Sequence, residues 1–110
     1  MVRFVKEPYL SEAVKPKISS IKWKMACGIG MMRVHFITLS DNKNDLFDIY
    51  PAATFKQKSL RRSDRVIIGV ADSGDSAKEL ICSMIQDCLD ARGALNDIRG
   101  YFEGYIKEHM

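Results

Sequence analysis

From Ile21 the chain alternates, with Ile21, Trp23 and Met25 on one side and Lys22 and Lys24 on the other, which is the period of a half-buried strand. Residues 20 to 26 are read as that strand, with Trp23 in the core. Cys27-Gly28-Ile29-Gly30 adds two glycines suited to a tight reversal, and Met32 to Leu39 is rich in β-formers, so the stretch reads as an antiparallel hairpin. The preceding residues 1 to 19 show no clear period, and Pro8 and Pro16 bracket Tyr9, Leu10, Ala13 and Val14. They are read as an N-terminal arm.

Ser40 to Asp45 is a polar turn cluster. Beyond it, Leu46, Ile49, Tyr50, Ala53 and Leu60 share a helical face, yet Pro51 breaks an interior turn unless it begins a second segment. Residues 46 to 60 are read as an interrupted helix, with a strand as the alternative. The β-branched run Val66-Ile67-Ile68-Gly69-Val70 has the look of a strand covered on both faces and placed centrally in its sheet. After Asp72-Ser73-Gly74-Asp75 turns the chain, Ser76 and Glu79 match a capping box, and the stripe Ala77, Leu80, Ile81, Met84, Ile85, Cys88, Leu89 predicts a helix over 77–92 that Gly93 stops. A last helix is expected from about Asn96.

These elements predict an α+β fold: a small two-layer sandwich of three or more strands with the helix 77–92 packed on one face. At 110 residues, with 46% apolar and 28% charged residues, the chain has the size and composition of one globular domain, divided as an arm (1–19), an α/β core (20–95) and a C-terminal helix (96–110). If residues 46 to 60 are helical, their connection is a crossover; if they are a strand, the sheet is a meander. No apolar run approaches a bilayer span, and the first residues lack the apolar stretch of a secretory signal, so no membrane partner is expected. Cys27, Cys82 and Cys88 are odd in number and never spaced C-x-x-C, which suits a reducing compartment and predicts a cytoplasmic location.

The net charge of +3 is unevenly spread. Residues 1 to 24 hold six basic and two acidic side chains, residues 54 to 70 five and one, and residues 71 to 110 four and eight. Two basic segments thus face an acidic tail, a pattern suited to a polyanion or to pairing between the chain's own parts. Lys58, Arg61 and Arg62 share a face if their segment is helical, and they are the candidate phosphate contacts. Lys22-Trp23-Lys24 has the composition of a base-stacking site, but strand alternation sends Trp23 away from both lysines.

The turn before helix 77–92 lacks the spacing of a phosphate-binding loop, and Asp72 and Asp75 would repel an anion there, so helix capping is the preferred reading. Gly28-x-Gly30 reads as a hairpin turn. Only His35 and His109 are available as bases, one in a predicted strand and one at the penultimate position. Cys27 is the thiol expected to be accessible. No catalytic, cofactor-binding or metal-ligating residue is identified, and no cofactor is expected. Gly100-x-x-x-Gly104 lies opposite the apolar face of the last helix and reads as accidental.

The succession Ile21-Lys22-Trp23-Lys24, Val66-Ile67-Ile68-Gly69-Val70-Ala71 and Ile98-Arg99-Gly100-Tyr101-Phe102 resembles a group of short uncharacterised proteins of Firmicutes bacteria over residues 20 to 102. The resemblance implies a bacterial cytoplasmic origin and brings no activity, ligand or functional residue. The leading functional reading is a non-enzymatic binding or regulatory module that forms a homodimer through the last helix, where Phe102, Tyr105 and Ile106 align with Leu95 and Ile98 and Tyr101 extends the face toward its margin; docking of that helix onto its own sheet is the competing reading. A nucleic-acid-binding protein using Lys58, Arg61 and Arg62 is the first alternative. An enzyme or small-ligand binder whose site leaves no motif is the second.

Overall fold

In the computed structural model, which describes residues 2–28, 33–40, 45–61 and 63–110, four strands form one mixed sheet. They are β1 (Arg3–Leu10), β2 (His35–Leu39), β3 (Phe47–Pro51) and β4 (Val66–Ala71), in the order β1-β4-β2-β3. The β-branched run expected at the centre is indeed an interior strand: β4 pairs parallel with β1 and antiparallel with β2. β2 and β3 make the hairpin of the sheet, with Ile37 opposite Ile49.

A bulge in β4 sets which side chains face which way. Ile37 pairs with Gly69 while Thr38 pairs with Ile67, so Ile68 is the extra residue. Ile67 and Val70 therefore point to one face, and Ile68 and Ala71 to the other. Gly69 fits the irregularity because a Cβ there would stand 3.1 Å from Ile37 Cδ1 and 3.4 Å from the Tyr9 carbonyl. β1 also slips in register, between Phe4 and Tyr9. Pro8 lies in that stretch and has no N–H to give a ladder, and the Lys6 N–H donates instead to the His109 carbonyl at 2.6 Å.

Helical segments cover both faces, so the fold is of the α+β class expected, with a second helical layer beyond the one predicted. On the first face, Phe36, Ile67 and Val70 pack with Val14, Ile21, Met25, Ala52 and Phe55. Ile21 and Met25 come from α1 (Ile18–Ala26), which follows a 3₁₀ turn at Lys15–Lys17; Phe55 comes from a second 3₁₀ turn, Ala52–Lys56, which leads into the short α2 (Lys58–Arg61). On the second face, Ile37, Ile68 and Ala71 pack with Ala77, Met84 and Cys88 of α3 (Gly74–Arg92) and Phe102 of α4 (Ile98–Glu108). The helix predicted over 77–92 lies within α3 and packs on this face.

Several expectations need correction. Residues 20 to 26 form helix α1 where a strand was expected. Ile21 and Met25 are four apart, a spacing that puts two side chains on one face of a helix or of a strand alike, so Trp23 alone separates the readings. It is 62% exposed and not in the core. Gly28 (φ 73°) follows the end of that helix, its N–H bonded to the Met25 carbonyl, so it does not serve the expected hairpin; Gly30 lies outside the described residues. The expected arm contains β1, an edge strand. Residues 46 to 60 divide, since the strand alternative holds for β3 and helical turns begin only after Pro51.

The start of α3 also moves. Ser73 is the N-cap, its Oγ accepting the Ser76 N–H at 3.0 Å, so Ser76 supplies a backbone donor and not the expected capping side chain. At the other end Gly93 adopts φ 71° and its N–H reaches the Leu89 carbonyl, as the sequence led us to expect. Asp97 caps α4 by accepting the Gly100 N–H at 3.3 Å. A Cβ at Gly100 would fall on that carboxylate, and one at Gly104 would meet nothing within 4 Å, so the two glycines do not mark a helix-packing seam.

Candidate nucleic-acid interface

The two layers of helix differ in charge. Between Glu12 and Asp41 the sequence has no carboxylate and carries Lys15, Lys17, Lys22, Lys24 and Arg33. Most of the covering of the first face comes from this stretch. The second face is covered by residues 74 to 108, which belong to the acidic part of the chain.

On α1, successive residues turn by about 100°. The buried positions Ile21 and Met25, with half-buried Ile18, define the inward side. Trp23 then falls diametrically opposite, at the crest. Its neighbours one turn away, at three and four residues in each direction, are Ser19, Ser20, Ala26 and Cys27, all small and all exposed. Lys22 and Lys24 flank the crest, one on each side. The indole consequently stands above a floor of short side chains between two cationic flanks. Lys22 reaches back so that its Nζ lies 5.5 Å from the Phe4 ring centroid, a cation–π contact that draws its ammonium toward β1. Just before α1, the Lys15 ammonium pairs with Glu12 at 2.7 Å, with both side chains largely exposed. A cleft of about 280 Å³ opens beside the helix, lined by Lys17, Ile21, Arg33 and Asp72 among others.

Of the three predicted phosphate contacts, Lys58 is exposed at the start of α2 and Arg61 ends that helix; Arg62 lies outside the described residues. α1 packs on the 3₁₀ turn Ala52–Lys56, from which α2 continues, so the second basic segment follows directly from a neighbour of the first. Trp23 with Lys22 and Lys24, whose composition suits base stacking but whose expected strand would hide the ring, is instead brought to the surface by the helix.

The predicted dimer residues are engaged within the chain. Phe102 is fully buried, edge-on to Phe47 at 5.2 Å between centroids, and Tyr101, Tyr105 and Ile106 pack half-buried around the same core. The Tyr105 hydroxyl donates to the Glu7 carbonyl, and its ring stacks on His109 at 4.1 Å. Tyr9 from β1 reaches across to donate to Asp87 of α3 at 2.8 Å. Burial, reinforced by that carboxylate, pushes the Tyr9 phenol well above its usual range; burial does the same, less strongly, to Tyr101 and Tyr105. The apolar face of α4 thus packs on its own sheet through Phe102, with Tyr101, Tyr105 and Ile106 half-buried beside it.

A larger cleft of about 500 Å³ lies where β1 and β4 end, lined by Ser11, Glu12, Asp72, Ser76, Glu79 and Ser83 among others. Hydroxyls from Ser76 and Ser11 and a backbone N–H hold the Asp72 carboxyl below the usual range against a small opposing effect of burial. With three carboxylates around it, this cleft repels phosphate, in keeping with the capping role read from the sequence. Among the described residues no group of three His, Cys, Asp or Glu side chains is arranged to hold a metal ion. Cys27 and Cys82 are exposed, Cys88 is buried, and His35 is half-buried in β2 with its Nδ1 unpartnered among the described residues. No helix among the described residues is long and apolar enough to cross a membrane.

Fold and surface together define a small α+β domain, a mixed four-stranded sheet carrying a basic helical layer on one face and an acidic one on the other. Comparison of the chain with family models, with curated proteins and with solved structures finds no match in any of the three.

Proposed function

We propose that this protein is a binding module whose ligand is a nucleic acid, held on the basic layer of α1. The observation that carries this reading is the carboxylate-free stretch from Ala13 to Ser40, whose five cationic side chains lie on and around the covering of one sheet face. A surface with that composition attracts a polyphosphate backbone and releases its counterions, which makes affinity fall steeply with salt. The acidic layer on the opposite face gives the domain a direction, because a polyanion is drawn to one side and repelled from the other.

The test is binding of a generic oligonucleotide at low salt, repeated across a salt series. The wild-type protein should bind, with log affinity falling linearly with log salt concentration. Replacing Lys22 and Lys24 by glutamine should weaken binding and flatten the slope by about 0.7 to 0.9 per phosphate contact removed. The companion variant Lys58→Gln, Arg61→Gln, Arg62→Gln asks whether the ligand also crosses to α2. Wild-type protein that binds no polyanion at low salt would refute the proposal.

A further inference from the structure

We infer that the ligand of the α1 surface is a single strand, and that Trp23 is the platform on which one of its unpaired bases stacks. The inference rests on the nucleic-acid reading above and adds to it the geometry of the crest.

Trp23 is 62% exposed, although an indole ordinarily contributes much of a domain's buried apolar area. On α1 it is the residue farthest from the core. The side chains one turn away, Ser19, Ser20, Ala26 and Cys27, are too short to cover the ring. A flat aromatic surface left open in this way, with Lys22 and Lys24 flanking it, matches the two requirements of strand binding: a face for a base and cations for the phosphates on either side. In a duplex the base faces are occupied by their neighbours, so a ring on a convex crest would meet only backbone or groove edge. Among the described residues one turn away, the neutral hydrogen-bonding side chains are serines, too short to read base edges, so recognition should be tolerant of sequence.

Two other occupants fit less well. A helix that enters a membrane interface offers a broad apolar face, whereas the apolar face of α1, with Ile21 and Met25, is buried against the sheet. A tryptophan that anchors a protein partner is normally ringed by residues that exclude water, and here its neighbours along and around the helix are lysines, serines, Ala26 and Cys27.

Trp23 is the chain's single tryptophan, so its emission reports this site alone. The experiment titrates the protein at low salt with a thymine or uracil homopolymer of about a dozen nucleotides, a duplex of the same length, inorganic polyphosphate, and vesicles of anionic lipid. The single strand should quench the emission and bind more tightly than the duplex, while polyphosphate should bind without quenching. Trp23→Ala should lower single-strand affinity by about ten-fold or more, leave polyphosphate affinity unchanged, and leave the thermal midpoint unchanged, with Trp23→Phe keeping most of the affinity. Equal affinity for single strand and duplex with no change in emission would overturn the stacking inference while leaving the nucleic-acid reading intact. Loss of affinity in Trp23→Ala that is equal for polyphosphate and single strand would also overturn it. Binding of none of the polyanions would remove both readings, and a blue-shifted emission on vesicles without oligonucleotide binding would assign the crest to a membrane surface instead.

Discussion

The two faces of the sheet are closed by different means. On one face, α3 is nineteen residues long, begins on a Ser73 side-chain cap and stops at a left-handed Gly93, and α4 begins on Asp97. On the other, α1 has nine residues, the two 3₁₀ turns have three and five, and none of these three has a side-chain cap. The layer of α3 and α4 is held by signals written locally in the chain. The layer of α1 is held by packing onto Phe36 of β2 and onto Ile67 and Val70, which β4 brings from far along the sequence. Function, in our reading, belongs to the α1 layer, where local structure is least determined and an indole is left exposed.

The comparison can be broken most directly at its aromatic anchors. Phe102→Ala should cost about 3–5 kcal/mol, because a fully buried ring is removed from between α4, β3 and the sheet. Denaturant unfolding measures it; a cost under about 1 kcal/mol would show that α4 does not close the second face. Next in size, Met25→Ala should cost about 2–5 kcal/mol while Trp23→Ala stays within about 0.5 kcal/mol. A strand at residues 20 to 26 would instead make the two losses comparable, so the pair of variants decides between helix and strand.

A smaller effect is expected at the corrected cap. Ser73→Ala should cost about 1 kcal/mol of stability by leaving the Ser76 N–H without its acceptor, and it should cost more than Ser76→Ala. Thermal midpoints of the two variants give the order. The smallest effects are those of pH. The Asp72 carboxyl is held low in the folded protein, so its contribution is complete above the ordinary carboxylate range and is lost as pH falls through the folded value. Asp72→Asn should make the acid limb of the stability curve below about pH 4 shallower. At the alkaline end the sign reverses. The raised Tyr9 phenol contributes fully below its ordinary titration and loses that contribution above about pH 10, so Tyr9→Phe should flatten the alkaline limb.

The layer with local signals was legible in the sequence. The stripe from Ala77 to Cys88 and the stop at Gly93 placed α3, and the β-branched run from Val66 placed β4 in the interior. The cap was missed by three residues because Ser73 and Ser76 both precede the apolar stripe, and only the backbone of Ser73, extended at φ −161°, distinguishes them. The other layer was misread where spacing carries two meanings. Ile21 and Met25 suit either period, and Lys22 and Lys24 seemed to complete a strand. β1 escaped notice because Pro8 interrupts its pattern and its partner lies far along the chain. The site was legible in composition, as basic residues around a tryptophan, but its geometry was not, since the assigned strand would have hidden the ring.

β1 also governs the timing of folding. Arg3 pairs with Val66 and Leu10 with Val70, so this strand is separated by about sixty residues from β4, its one sheet partner among the described residues. During synthesis it must wait until β4 has left the ribosome, and closing so long a loop places its docking among the slower steps of folding. Until then one edge of β4 is open, with the fully buried Ile67, Ile68 and Val70 in the strand behind it. An apolar strand with a free edge is a template for pairing with another chain. Folding yield, more than equilibrium stability, is therefore where changes at Phe4, Val5 and Tyr9 should be felt: nascent or refolding protein should aggregate at concentrations that the finished fold tolerates.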